Sequence, residues 1–134
     1  MNTTPINICI VDDSDVFRNA FIWSLNKINI NKNIYQAENG RDFLRLMENI
    51  HFDIVFMDLE MPIMNGIAAA RKAIENCRGI KIIAVSFHSD FENIRSMIEA
   101  GAINYIFKDD VSREIIEDRL NKALTLQTLG KSVI

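Results

Sequence analysis

Three aspartates, a serine and a lysine fall at positions where they could do chemistry together. Asp12 and Asp13 follow the apolar run Ile6 to Val11, Asp58 follows Asp53 to Met57, Ser86 follows Ile80 to Val85, and Lys108 follows Ile103 to Phe107. Each residue has an ordinary explanation, because acids and serines often cap the helix that comes after a strand, and Ser14 or Ser89 could serve that purpose here. The joint pattern says more. Three converging carboxylates repel one another unless a cation sits among them. Carboxylate and carbonyl oxygens suit a hard divalent ion, and Mg²⁺ favours a few protein oxygens, retained waters and a phosphate oxygen over a full protein cage. Lys108 would balance the acids and hold a phosphoryl oxygen, while the Ser86 hydroxyl could donate to another. That is an arrangement for phosphoryl chemistry.

Those residues share one edge only if the apolar runs are neighbouring strands. The four runs are rich in β-branched residues, and Asn33 to Ala37 forms a weaker fifth. Helical spacing fills the intervals: Phe17, Ala20, Phe21, Leu25 and Ile28 make one apolar face, and Ile67, Ala70, Ala73, Ile74 and Cys77 make another. Further helices are expected over Arg41 to Glu48, Asp90 to Glu99 and Val111 to Leu126. Strands alternating with amphipathic helices imply right-handed crossovers, and so an α/β, doubly wound parallel sheet covered on both faces. In such sheets ligands bind beyond the carboxyl ends of the strands, where the strand order reverses.

The 134 residues suffice for one domain with a real core, and are too few for two ordinary ones. With 49% hydrophobic and 25% charged residues the composition is globular, and no linker or repeat interrupts it. A core over about 6–126 and a C-terminal tail over 127–134 are expected. The net charge of −3 gives no field that would attract nucleic acid or an anionic membrane. Cys9 and Cys77 lack any metal-binding spacing, and MNTTPINI has neither a basic start nor an apolar stretch. A reduced, cytoplasmic protein with structural cysteines and no membrane anchor is the expectation.

The acidic pair in IVDDS, the segment MDLEMPIMNG around Asp58, Ser86 after IIAVS, and GAINYIFK ending on Lys108 together resemble the receiver domains of bacterial two-component response regulators, of the chemotaxis-receiver-like type. The resemblance runs from Ile6 to about Leu126. It implies a five-stranded, flavodoxin-like sheet of order 2-1-3-4-5. It makes Asp58 the phosphoacceptor, Asp12, Asp13, Asp58 and the Glu60 backbone carbonyl the ligands of Mg²⁺ or of Mn²⁺ as a substitute, and Ser86 and Lys108 the pair that senses the phosphoryl group. Tyr105 becomes the switch aromatic, which turns inward as the Ser86 hydroxyl moves and remodels the surface of the fourth helix, fifth strand and fifth helix.

The implied partners are a sensor histidine kinase or phosphotransfer protein and a phosphorylation-dependent second copy of the chain. Direct nucleic-acid binding by this chain is not expected. In MDLEMPIMNG, Pro62 has no backbone donor and Gly66 is expected to take a strained backbone angle, turning the chain sharply into the next helix.

Two departures from the family pattern stand out. Asp109 replaces the usual proline after Lys108, which withdraws the expectation of a cis bond and resembles the branch carrying a helix-turn-helix output domain. Phe87 is large where a small residue is usual, narrowing the path to Asp58. Glu60 and His88 flank the site and are read with Phe87 as modulators of access, while His51 has no constellation around it.

Rival readings fare worse. A haloacid-dehalogenase-like phosphatase shares the Asp58-Leu59-Glu60 pattern, but it would place its nucleophile on the first strand and need a longer chain. A flavodoxin-like carrier would need a phosphate-cradling loop where this chain has the acidic DDSDVF, and no GxxxxGK segment occurs. A degenerate, non-phosphorylated receiver module would lack one of the key residues, and all are present.

Overall fold

A computed structural model describes residues 4–133, with side chains described through 126. Five strands alternate with five α-helices: β1 (Ile6–Val11), α1 (Asp15–Leu25), β2 (Lys32–Ala37), α2 (Gly40–Met47), β3 (Ile54–Asp58), α3 (Gly66–Asn76), β4 (Lys81–Ser86), α4 (Phe91–Glu99), β5 (Asn104–Phe107) and α5 (Arg113–Val133). A single 3₁₀ turn, Lys108–Asp110, joins β5 to α5. The strands pair in parallel in the order β2-β1-β3-β4-β5. This is the expected doubly wound, flavodoxin-like topology.

Alternation along the strands divides the core in two. Cys9, Val11, Val55, Met57, Ile82 and Ala84 face the side packed by α2, α3 and α4, where Phe43, Ala70, Ala73 and Met97 are buried. Ile8, Ile10, Phe56, Ile83 and Val85 face α1 and α5, where Phe21, Leu25, Ile116 and Leu120 are buried. Because the side-chain period of a strand is two, a slip of one residue would exchange these faces, so burial on both sides pins the register. The Phe21 and Phe56 rings, 4.8 Å apart, join α1 to the sheet. Every residue of β3 is buried, which makes it the central rod that carries Asp58 to the carboxyl edge.

Several local expectations are corrected. α5 runs on to Val133, past the Leu126 at which a tail was expected, while Ile134 lies outside the described residues. On α1, Ala20 is exposed and Arg18 is buried in its stead. Its guanidinium donates through Nε to Gln36 Oε1 at 2.9 Å and also to the Asp12 carbonyl and the Asp15 carboxylate. A buried arginine is invisible to an apolar pattern because hydrogen bonds, rather than transfer to an apolar medium, make its burial tolerable.

Ser14 caps α1, accepting from the Phe17 N–H at 3.1 Å. Ser89 caps nothing, since the N-cap of α4 is Asp90.

Candidate functional site

β1 and β3 are neighbours, and their following helices leave on opposite faces of the sheet, so a cleft opens where both strands end. Asp12, Asp13 and Asp58 meet there, each offering a carboxylate oxygen within 4.8 Å of the others. Asp12 is buried and held on one side, its Oδ1 accepting from the Ser14 N–H at 2.9 Å. Its Oδ2 faces Lys108, whose ammonium lies 2.8 Å from that oxygen and 3.4 Å from Asp58 Oδ1. One ammonium thus serves two buried acids, with Asp13 exposed beside them.

The imbalance shows in the ionisation of Asp58. Burial pushes its carboxyl up to about 7, the Asp12 charge adds to the rise, Lys108 works against it, and Asp13 contributes last. For Lys108, burial acts to lower the ammonium, but the contacts with Asp12 and Asp58 outweigh it and raise the group overall. The ammonium lies over two aromatic rings, 4.7 Å from the Phe17 ring centre and 5.5 Å from that of Phe87.

A divalent cation fits this donor set on the structure's own terms. The oxygens are hard, they converge within 4.8 Å of one another, and three carboxylates share one nearby ammonium's worth of positive charge.

The loop from β3 to α3 explains how Asp58 is presented. Gly66 does not occupy a left-handed angle as expected. Its role is close approach: a Cβ there would lie 2.2 Å from the Asp58 carbonyl oxygen and 3.0 Å from Leu59 Cα. The left-handed angle belongs to Ile63, with φ of 71°. For a β-branched residue this is strained, so the loop beside Asp58 holds an unfavourable conformation that the surrounding turn imposes. Glu60 is exposed, and its Oε1 accepts from Asn93 Nδ2 at 3.3 Å, tying this loop to the first turn of α4.

Ser86 closes β4 and is 2% exposed. Its hydroxyl donates to Asp90 Oδ2 at 2.8 Å. Tyr105 is 38% exposed, its ring edge-on to Phe107 with centres 5.1 Å apart. Phe107 is the hub of an aromatic cluster, with His88 stacked on it at 3.9 Å and Phe91 edge-on at 5.9 Å. Phe87 is half exposed over the cleft.

His88 is more engaged than a surface histidine. Nδ1 lies 3.3 Å from Asp109 Oδ2 and Nε2 lies 3.1 Å from Asp110 Oδ2, so the ring bridges the loop after β4 to the turn after β5. The Lys108–Asp109 bond is trans. Sequence reasoning missed Arg18, Asp90 and this bridge, because only tertiary contact identifies their partners.

His51 also has neighbours, Cys77 Sγ at 3.8 Å and Asp53 Oδ1 at 3.9 Å, at the opposite edge of the sheet. Burial pushes the Cys9 thiol far up, which makes it inert. Among the described residues no helix is long and apolar enough to cross a membrane.

Comparison with known proteins supplies an independent line. The family described as "Response regulator receiver domain" matches residues 8–121. The transcriptional regulatory protein DegU of Brevibacillus brevis is 28% identical over 117 residues, covering 87% of this chain and 50% of that protein. The transcriptional regulatory protein YhcZ of Bacillus subtilis is 34% identical over 117 residues, 85% of this chain and 53% of that protein. The chain spans about half the length of the curated relatives it matches. Among solved structures, a CheY-like receiver domain protein from Methanospirillum hungatei superposes with a TM-score of 0.83 at 25% identity, covering 95% of this chain and 99% of that one.

Proposed function

The chain belongs to the response regulator receiver family, and on that premise we propose that Asp58 accepts a phosphoryl group and that the surface of α4, β5 and α5 changes in response. The observation that carries the proposal is the convergence of the Asp12, Asp13 and Asp58 carboxylates, of which Asp12 and Asp58 share the single Lys108 ammonium. The folding unit is a single receiver domain, core about 6–126.

Asp12, Asp13, Asp58 and the Glu60 backbone carbonyl would hold Mg²⁺, or Mn²⁺ in its place, which when bound supplies neutralising charge to the phosphoryl oxygens. Asp58 attacks phosphorus through a carboxylate oxygen, and the donor's leaving group departs with the bonding pair. A carboxylate approaching an anionic phosphoryl group meets repulsion, and the Lys108 ammonium, already 3.4 Å from Asp58 Oδ1, offsets it. Ser86 then donates to a phosphoryl oxygen, and Tyr105 turns inward beside Phe107.

Glu60, Phe87 and His88 border the approach and set how fast donor and water reach Asp58. The only chemistry catalysed is the domain's own phosphorylation and dephosphorylation. The donor is a sensor histidine kinase or phosphotransfer protein, the setting is the cytoplasm, and phosphorylation favours a homodimer. The half-length match to transcriptional regulators supports an output domain that binds DNA on the same polypeptide, leaving none of that task to this chain.

Acetyl phosphate with Mg²⁺, followed by intact-mass measurement, tests the assignment. Wild type is expected to gain one phosphoryl group and Asp58→Asn none. A folded wild type that gains nothing from acetyl phosphate or from a phosphorylated kinase would overturn it.

A further inference from the structure

One helix of this protein starts differently from the rest. Ser14, Asn39 and Asn65 sit at the N-caps of α1, α2 and α3 with extended backbones, and their side chains accept from Phe17, Asp42 and Ala68 N–H groups. Ser112, just before α5, accepts from the Ile115 N–H at 3.2 Å. α4 has aspartate at its N-cap, among the best capping residues, yet Asp90 makes no capping bond and its backbone is at φ −104°, ψ 40°. Its carboxylate is occupied elsewhere, by the Ser86 hydroxyl at 2.8 Å.

The two ends of that bond belong to different machinery. Ser86 is the last residue of β4, in the phosphoryl site, and Asp90 is the first contact of α4, part of the surface that changes. Asp90 O already accepts the first helical bond from Ile94 N at 2.9 Å, so the residue stands at the cap position, and a capping side chain there goes with ψ in the extended range, as at the other caps. The helix dipole favours a negative charge in that place.

We propose that Asp90 is a positioning residue for Ser86 and a relay to α4. In the resting protein its carboxylate holds the hydroxyl away from Asp58, and when the hydroxyl leaves for a phosphoryl oxygen the freed carboxylate caps α4. The exchange trades one hydrogen bond for another, so the helix start is ordered in step with the occupancy of the phosphoryl site. The Asn93 side chain, bonded to Glu60 on the Asp58 loop, lies on the same first turn and is ordered with it.

The relay rests on the reading of Asp58 as phosphoacceptor, and its test separates the two. Amide hydrogen exchange at Glu92 and Asn93 is measured by NMR in wild type, Ser86→Ala, Asp90→Ala and the double variant, with and without saturating Mg²⁺ and beryllofluoride. Loss of the hydroxyl in Ser86→Ala frees Asp90, so exchange at Asn93 slows by about fivefold with no ligand present, the size of a typical N-cap. The double variant loses that protection, and Asp90→Asn, which caps well but holds the hydroxyl less tightly, falls between wild type and Ser86→Ala.

In wild type, beryllofluoride brings the same slowing, and in Asp90→Ala it does not. Unchanged or faster exchange in Ser86→Ala overturns the relay, as does slowing by beryllofluoride that survives Asp90→Ala. A wild type in which no amide near Asp58 responds to beryllofluoride defeats the phosphoacceptor reading instead, and the ligand-free Ser86→Ala comparison still decides the relay.

Discussion

The two ends of the sheet treat a partly buried aspartate in opposite ways. At the amino edge, Asp53 precedes β3 and its Oδ2 accepts from the Asn7 N–H at 2.8 Å. Its backbone N–H donates to the Asn7 carbonyl at 2.9 Å, and its carbonyl accepts from the Lys81 N–H at 3.0 Å, so this acid ties β1, β3 and β4 together where they begin. At the carboxyl edge, Asp58 and Asp12 divide one ammonium between them, with Asp13 beside them. An acid whose carboxylate accepts from the backbone of a neighbouring strand is architecture. Acids crowded together with too little positive charge mark a candidate site for a cation. The same contrast extends to the loops at the two ends, and it can be tested at three scales.

The largest effect comes from the glycines. Gly66 presses against the Asp58 carbonyl, and a Cβ would overlap backbone atoms that cannot move without displacing the end of β3. Gly66→Ala is expected to cost about 3 kcal/mol in urea unfolding and to lower acetyl phosphate loading with it. Gly79, in the turn before β4 at the opposite edge, has open space where its Cβ would be. Gly79→Ala is expected to range from neutral to about 1 kcal/mol more stable, through the unfolded chain. Equal costs at the two positions would erase the distinction between the edges.

The carboxylates give the next effect, with opposite signs. The folded pKa of Asp58, about 7, lies above its ordinary value of 3.8, so the native state binds this proton more tightly than the unfolded chain. Stability from this source is therefore complete below pH 4 and is lost as pH rises through 7. Without Mg²⁺, Asp58→Asn is expected to be more stable than wild type by about 2 kcal/mol at pH 8, with the difference closing as pH falls towards 4. Asp53→Asn weakens a charge-assisted bond to Asn7 and is expected to be about 1 kcal/mol less stable at pH 8. Chemical denaturation across pH measures both, and a destabilising Asp58→Asn would remove the basis for calling the carboxyl edge strained.

This contrast also marks what could be read from the chain. The alternation of strands and helices, the two-faced sheet and the meeting of Asp12, Asp13, Asp58 and Lys108 were legible because hydrophobic period and strand ends are local signals that the sheet topology turns into position, whereas the strand order was what the receiver resemblance implied. What Gly66 does was not, because only the folded loop shows that it lies against Asp58 while Ile63 carries the positive φ. Arg18 lies outside the apolar pattern of its helix, and only the fold places Gln36 and the Asp12 carbonyl beside it. The hold of Asp90 on Ser86, and of Asp109 and Asp110 on His88, depends on side-chain directions in loops that no periodicity describes.

The smallest effect concerns access. Phe87 is 53% exposed, and its ring, like that of Phe17, lies against the Lys108 ammonium. Removing the Phe87 ring opens the cleft to both small phosphodonors and water, so Phe87→Ala should load faster from acetyl phosphate and lose the group faster. A barrier change of about 0.7 kcal/mol corresponds to about threefold in each rate. The weaker cation–π contact on Lys108 acts against part of the gain, which keeps the expected change small. Loading and decay, followed by intact mass in Phe87→Ala and in His51→Ala at the amino edge, separate the two ends again. The first should change both rates and the second neither, whereas unchanged rates in Phe87→Ala would mean that the ring shields Lys108 without guarding Asp58.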